Sequence, residues 1–102
     1  MRVRFAPEAL SQMADISAYI AQDSASAARK VIQRIEYIAA LLGGNPEMGH
    51  LISEEGVRVF PVNPYPYLIF YELGEDELNV ISVRHGARRR PAFHEPAREF
   101  QL

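Results

Sequence analysis

Several features that would assign a sequence to a specialised class are missing from this one. None of its 102 residues is cysteine, which excludes disulfides and thiol nucleophiles. No apolar run approaches the roughly 18 residues that a membrane-spanning helix requires, and the N-terminus lacks the apolar core of a signal peptide. These absences predict a soluble, cytoplasmic protein that does not bind membranes.

Common chemical motifs are missing as well. The sequence contains no glycine-rich phosphate loop, no nucleophile elbow and no motif of paired catalytic carboxylates. His50 and His94 have no companions at metal-ligand spacing. We therefore expect no cofactor and no metal.

The charge that is present is slightly acidic and unevenly distributed. Eleven Lys and Arg residues face thirteen Asp and Glu residues, for a formal net charge of -2. A protein that binds mainly to phosphates normally carries a basic surplus, because each contact releases counterions. Lys30 is the single lysine, so the basic residues are almost all arginine, which pairs in bidentate geometry with carboxylates and phosphates. One arginine cluster falls within seven residues: Arg84, Arg88, Arg89 and Arg90.

Apolar spacing predicts two helices in the first half of the chain. The first should run from about Pro7 to Ala21, since proline suits the first helical turn. Its apolar positions are Leu10, Met13, Ile16 and Ile20. Asp23 or Ser24 is the expected N-cap of the second helix, which Gly43 and Gly44 should end. The second helix carries one apolar stripe at spacings of three and four: Ala28, Val31, Ile32, Ile35, Ile38, Ala39 and Leu42.

The remaining pattern has a period of two and predicts strands. A short first strand covers residues 1–5, and three more are expected at Val57–Val62, Tyr67–Leu73 and Leu78–Val83. Pro61 has no backbone N–H to donate to a neighbouring strand, so its strand should lie at a sheet edge. The order β-α-α-β-β-β predicts an α+β fold in which a helical hairpin packs on a four-stranded antiparallel sheet. Residues 1–102 then form one domain, with residues 88–102 as a C-terminal arm.

The last two strands are apolar on both faces. A regular strand places Ile81 and Val83 on one face and Leu78 and Val80 on the other. Two helices cover only one face of a sheet. The C-terminal arm, a second copy or a partner chain should cover the other face, and the free protein is expected to self-associate.

Five local patterns follow one another along residues 1 to about 90. A helix ends in the mainly apolar segment Ile35-Glu-Tyr-Ile-Ala39 before a short turn, and Leu42 is followed by Pro46 and Gly49. The later three patterns are Gly56-Val-Arg58, Pro66-Tyr-Leu-Ile-Phe-Tyr71 and Val83-Arg-His-Gly-Ala-Arg88. In this order the patterns resemble the ParE/RelE toxins of type II toxin–antitoxin systems. The resemblance implies a two-layer fold with the first strand beside the last.

The resemblance also implies one of two activities. RelE-like toxins cleave mRNA in the ribosomal A site, using basic residues and often a C-terminal tyrosine or histidine, whereas ParE-like toxins poison DNA gyrase. A cognate antitoxin wraps and neutralises both kinds, and operator DNA is expected to be contacted only through it. The acidic net charge and the absence of tyrosine after Tyr71 favour the ParE branch. A ribosome-dependent endoribonuclease is the alternative, and an inactive toxin that acts as operon corepressor is the second alternative.

Candidate site residues follow from the arginines and from one histidine. Arg58 matches a family arginine on the sheet. It either contacts a phosphate, the target or an antitoxin carboxylate, or it packs beside Phe60 with its charge in solvent. His85 suits either proton transfer or a structural hydrogen bond, and a regular strand points Arg84 and His85 to opposite faces. The three arginines at 88–90 form either a solvated tail or a docking point for acidic segments.

We therefore predict a binding surface for target and antitoxin made of Arg58, Arg84, His85, Arg88, Arg89 and Arg90. Should the protein be a nuclease, the catalytic candidates are Arg58, Arg84 and His85. The tyrosines at 65, 67 and 71 are expected to be packing residues.

Overall fold

The computed structural model describes residues 1–88. Helix α1 spans Pro7–Ala21 and helix α2 spans Ala25–Gly44. The strands are β1 at Arg2–Phe5, β2 at His50–Leu51, β3 at Arg58–Pro61, β4 at Tyr67–Leu73 and β5 at Glu77–His85, and a 3₁₀ turn follows at Gly86–Arg88. The predicted C-terminal arm lies outside the described residues, apart from Arg88.

The two helices begin and end for the reasons that the sequence predicts. Proline occupies the first turn of α1, and the hydroxyl of Ser24 caps α2 by accepting a hydrogen bond from the Ala27 amide at 3.0 Å. The apolar stripe of α2 is buried against the sheet, except that Ile32 is half-buried. In α1 the predicted stripe holds at Met13, Ile16 and Ile20, but Leu10 is 53% exposed and Ala9 is buried in its place.

The sheet is mixed and has five strands in the order β1-β5-β4-β3-β2, which corrects the predicted four-stranded antiparallel sheet. The first strand does lie beside the last, as predicted, but β1 runs parallel to β5. A parallel neighbour requires a long crossover, and the helical hairpin supplies it. The fifth strand, β2, is only two residues long and pairs with the start of β3.

Pro61 lies on the open half of β3. The short strand β2 pairs only with Arg58 and Val59, so β3 is not the outermost strand along its whole length. The Val62 amide donates to the Tyr67 carbonyl in β4 at 2.9 Å. Because successive amides alternate in direction, the nitrogen of Pro61 faces the outer edge, where no hydrogen bond is lost.

A β-bulge corrects the predicted faces of the last strand. Phe70 pairs with Ser82, but Tyr71 pairs with Val80, so Ile81 is an extra residue in β5. The extra residue shifts the alternation by one position. Val83 therefore joins Leu78 and Val80 in the core beneath the helices instead of facing away from them.

The face of the sheet away from the helices carries a smaller apolar cluster. Ile52, Val59 and Phe70 are buried there, with Leu68 and Ile81 packed around them. Ile52 belongs to the segment between β2 and β3, which is closed by a hydrogen bond from its amide to the Val57 carbonyl at 2.8 Å. This segment supplies part of the cover that we expected from the arm, a second copy or a partner.

Candidate functional site

A groove lies between α1 and the C-terminal end of β5. Its volume is about 400 Å³, which falls at the lower end of the range for ligand sites. We call it the α1–β5 groove and define it by its lining residues: Gln12, Asp15, Ile16, Tyr19, Tyr67, Val83, Arg84 and His85. Two of the sequence-predicted site residues, Arg84 and His85, are among them.

The groove forms because β1 is shorter than β5. The pairing of β1 ends with Phe5 opposite Val80, and the next amide, that of Ala6, donates to the Val80 carbonyl at 2.9 Å. Beyond this point the outer edge of β5 faces α1 instead of a strand. The side-chain carbonyl of Gln12 accepts a hydrogen bond from the Val83 amide at 2.7 Å. A helix side chain thus replaces the missing strand partner.

Arg84 belongs to a closed ring of hydrogen bonds between β5 and α1. Its Nε donates to the Ser82 hydroxyl at 2.9 Å, and that hydroxyl donates to Gln12 Oε1 at 3.1 Å. The amide of Gln12 donates to the Glu8 carboxylate at 3.2 Å, and the same carboxylate pairs with Arg84 Nη2 at 3.4 Å. The Arg84 side chain is 27% exposed. The ring fixes the direction of the guanidinium at the mouth of the groove.

His85 lines the groove and uses one of its ring nitrogens for a bond within the chain. It pairs across the strands with Tyr67, and the two rings meet edge to face with centroids 5.4 Å apart. The Nδ1 atom accepts a hydrogen bond from the Ala87 amide at 3.0 Å. A neutral imidazole in this position carries its proton on Nε2, which is then the atom that can donate to a ligand.

Arg84 pairs with Leu68, and His85 pairs with Tyr67. Leu68 and Tyr67 lie on opposite faces of the sheet, so Arg84 and His85 also point to opposite faces, as predicted. Both residues nevertheless line one groove. The guanidinium of Arg84 reaches round the open edge of β5 to Glu8, and the groove runs along that edge.

Arg58 lies elsewhere, under the loop that follows α2. Its Nη1 atom donates to the carbonyls of Gly49 at 2.8 Å and Glu47 at 3.3 Å. It is paired across the strands with Tyr71, whose hydroxyl donates to the Pro46 carbonyl at 2.8 Å and accepts from the Gly49 amide at 2.9 Å. Burial raises the pKa of Tyr71, against the Gly49 hydrogen bond and the positive charge of Arg58, which lower it. We call this set of contacts, which joins Arg58 and Tyr71 to the loop residues Pro46, Glu47 and Gly49, the loop lock.

The structure does not bring Arg58 together with His85. Their partners in β4, Tyr71 and Tyr67, are four residues apart, and the two residues lie on either side of that strand. With about 3.3 Å per residue and about 4.8 Å per strand, their Cα atoms are separated by roughly 16 Å. The guanidinium of Arg58 is also directed to the loop carbonyls. The predicted site is therefore divided between two ends of the sheet.

Sequence reasoning missed the polar residues that hold the groove end of the site in place. Gln12 and Glu8 stand four residues apart on α1, and Ser82 lies between the apolar residues Ile81 and Val83 of β5. A polar residue in such a strand is a signal for a buried hydrogen bond. The tyrosine prediction is confirmed, since Tyr67 and Tyr71 are buried in the core, although Tyr71 is also a hydrogen-bonding residue.

Three predicted site residues have no described side chain. Arg88 ends the 3₁₀ turn, while Arg89 and Arg90 lie outside the described residues. Within residues 1–88, no group of three or more His, Cys, Asp or Glu side chains is placed to hold a metal ion. Over the same residues, no helix has the length and apolar character needed to cross a membrane.

Comparison with known proteins gives consistent similarities. A family described as the ParE toxin of the type II toxin–antitoxin system parDE matches residues 3–90. Toxin RelE2 of Caulobacter vibrioides is 34% identical over 80 residues, which cover 78% of this chain and 89% of that protein. The Sinorhizobium fredii protein Y4kP is 29% identical over 90 residues, covering 88% and 93% of the two chains.

Solved structures share the fold. A chain of the chromosomal ParDE system from P. aeruginosa superposes with a TM-score of 0.71 at 18% identity, covering 83% of this chain and 95% of that one. YafQ from E. coli superposes with a TM-score of 0.57 at 17% identity, covering 85% and 96%. At these identities the likeness concerns the arrangement of helices and strands alone.

Proposed function

Since the chain belongs to the ParE toxin family of type II toxin–antitoxin systems, we propose that it inhibits DNA gyrase by protein–protein contact when it is free of antitoxin. The family implies a cognate antitoxin as its partner. In this proposal the toxin acts in the cytoplasm and performs no covalent chemistry, and operator DNA is contacted through the antitoxin only.

The observation that supports binding over nuclease chemistry is the separation of the candidate residues. A ribonuclease must place a base, an acid and a charge-stabilising group around one phosphodiester, within hydrogen-bond reach of its atoms. Arg58 is roughly 16 Å from His85 at the Cα atoms, and its Nη1 is bonded to the carbonyls of Gly49 and Glu47. The three residues that we considered for catalysis therefore do not converge on a single bond.

The α1–β5 groove supports a contact with protein. Its walls combine apolar surface from Ile16 and Tyr19 with the fixed guanidinium of Arg84 and the imidazole of His85. Apolar surface bordered by a few oriented polar groups is typical of protein interfaces. We propose that this groove faces gyrase in the free toxin and is covered when the antitoxin binds.

Purified gyrase tests the proposal directly. Supercoiling of relaxed plasmid is measured with the free toxin and with the toxin–antitoxin complex, and only the free toxin is expected to inhibit. His85→Ala should weaken inhibition, and because the antitoxin is proposed to cover the same groove, it should weaken antitoxin binding as well. Arg4→Gln is the matched control, since β1 ends before the groove begins, and it should retain both properties. Unchanged supercoiling at toxin concentrations that stop growth would contradict the proposal.

The similarity to a protein named toxin RelE2 makes ribosome-dependent mRNA cleavage the second candidate. The same preparations are therefore assayed on translating ribosomes with a defined mRNA. If the protein is a nuclease, His85→Ala or Arg58→Ala should abolish cleavage and toxicity while antitoxin binding persists. Cleavage that survives both substitutions would remove these residues from the catalytic candidates.

A further inference from the structure

A second groove lies on the other side of the helical hairpin, between the exposed side of α2 and the turn that joins β3 to β4. Its volume is about 400 Å³. We call it the α2–turn surface and define it by its six lining residues: Lys30, Gln33, Arg34, Tyr37, Pro64 and Tyr65. None of these residues belongs to the α1–β5 groove.

Arg34 is held in a fixed position at the centre of this surface. Its Nε donates to the Asn63 carbonyl in the turn at 2.8 Å. Its guanidinium carbon lies 5.2 Å from the centroid of the Tyr37 ring, within cation–π range. These two contacts leave the Nη donors of Arg34 available to a ligand. Tyr37 is 56% exposed and forms an apolar wall beside the charge.

The cations of this surface have no carboxylate partner in the described part of the chain. The ion pairs within residues 1–88 involve other arginines and include neither Lys30 nor Arg34. No acidic residue stands three or four positions from either of them along α2, although the protein has thirteen acidic residues. In a chain with a net charge of -2, this surface is a local concentration of unpaired positive charge.

The arrangement also works against the stability of the helix. Lys30 and Arg34 are four residues apart, a spacing at which like charges repel each other. Local helix stability therefore does not account for these cations, whereas binding of an acidic partner does.

We infer that the α2–turn surface binds an acidic segment of a partner protein, with carboxylates on Lys30 and Arg34 and an aromatic side chain between Tyr37 and Tyr65. The exposed tyrosine ring and Pro64 supply the apolar part of the contact, and the two cations flank it. This binding does not depend on gyrase being the target of the toxin.

A protein segment fits this surface better than a nucleic acid does. Phosphate-driven binding gains affinity from many basic contacts along a backbone. Here two cations line the groove, on a protein that has more acidic than basic residues overall. A short peptide with a few carboxylates matches both the number of cations and the size of the groove.

The test is an NMR titration of the ¹⁵N-labelled full chain with a capped five-residue peptide that has a central tyrosine between two pairs of glutamates. A peptide with glycine in place of the tyrosine and a decathymidylate oligonucleotide are titrated in parallel. The tyrosine peptide is expected to give saturable shifts at the amides of Lys30, Arg34, Tyr37 and Tyr65, and to bind more tightly than either control. Absence of saturable shifts there, or tighter binding of the oligonucleotide, would overturn the inference.

Charge reversal separates a local contact from a general charge effect. Lys30→Glu should weaken peptide binding about fivefold or more, because an attractive contact is replaced by a repulsive one. Arg4→Glu changes the net charge equally, lies on β1 and is 68% exposed, and should change binding less than about twofold. Equal loss in both variants would contradict a specific site.

Thermal unfolding of the same variant provides a second readout. Lys30→Glu replaces a repulsive pair by an attractive one with Arg34, so its Tm should be equal to or above that of the parent chain. Weaker binding with unchanged or higher stability is the combined result that we expect. A lowered Tm would mean that Lys30 serves the fold, and the binding role would be rejected.

Discussion

The hydroxyl of Tyr71 makes two hydrogen bonds in the loop lock, and Tyr71→Phe removes both. The hydroxyl accepts from the buried Gly49 amide at 2.9 Å and donates to the Pro46 carbonyl at 2.8 Å. Tyr71 itself is fully buried, so water cannot readily replace the lost partner. An unsatisfied buried group costs about 1–3 kcal/mol. We therefore expect the free energy of unfolding to fall by about 2–4 kcal/mol, a large part of the roughly 5–15 kcal/mol available to a small domain.

Urea and thermal unfolding followed by circular dichroism measure this loss. At this chain length about 2–4 kcal/mol corresponds to a drop in Tm of about 8–20 °C. Tyr19→Phe is the matched control, because Tyr19 is 64% exposed and its hydroxyl makes no recorded hydrogen bond within residues 1–88. It should change the free energy by less than about 0.5 kcal/mol. A loss in Tyr71→Phe no larger than that of the control would refute the loop lock.

The pH dependence supplies an independent check on Tyr71. Burial raises its pKa in the folded protein above the ordinary value of 10.0. The stability that depends on the neutral phenol is therefore fully present below pH 10 and is lost as the pH rises through the folded pKa. The difference in unfolding free energy between the parent chain and Tyr71→Phe should shrink above pH 10. A constant difference across that range would show that the phenol titrates normally.

Three further substitutions test the remaining structural contacts. Gly49→Ala places a Cβ within 2.7 Å of Tyr71 Cε1, so unfolding in urea should show a loss of about 1–3 kcal/mol or more, and an unchanged midpoint would contradict this. Gln12→Ala leaves the Val83 amide without its acceptor. The free energy of unfolding should fall by about 1–2 kcal/mol, and hydrogen exchange of that amide should become faster. Unchanged exchange would show that Gln12 does not protect the Val83 amide. Ser24→Ala removes the N-cap of α2 and should lower the unfolding free energy by about 1 kcal/mol, whereas Ser24→Gly should cost less.

The helices could be predicted closely because their signals are local. Pro7 and Ser24 mark the starts of α1 and α2, and Gly44 ends the second at the glycine pair that the sequence shows. The apolar stripe of α2 predicted its buried face for the same reason. Such signals depend on neighbours within one or two turns, and these are visible in the sequence.

The sheet was predicted less completely because its details depend on distant partners. The bulge at Ile81 arises from how β5 matches β4 and has no signature in β5 alone. The two-residue strand at His50–Leu51 is too short to give a period-two pattern. We predicted a fully antiparallel sheet and therefore the wrong direction for β1. The chain between β1 and β5 includes two helices and is long enough to allow the parallel pairing that the structure shows.

The candidate site shows the same limit. A cluster of charged residues near Arg84 and His85 could be recognised from the sequence, and both line one groove. The bonds of Arg58 to the Gly49 and Glu47 carbonyls could not be recognised, since they depend on the position of a loop nine to eleven residues away. Binding by Arg58, Arg84 and His85, like that by the arginines at 88–90, stays a prediction that mutants must test.

The order in which DNA synthesis and protein synthesis fail tests the proposed function most directly. Both are measured by pulse labelling in the first minutes after the chain is induced without its antitoxin. Inhibition of gyrase predicts that DNA synthesis falls first while translation continues. A collapse of translation before any change in DNA synthesis would contradict gyrase as the target and would favour mRNA cleavage.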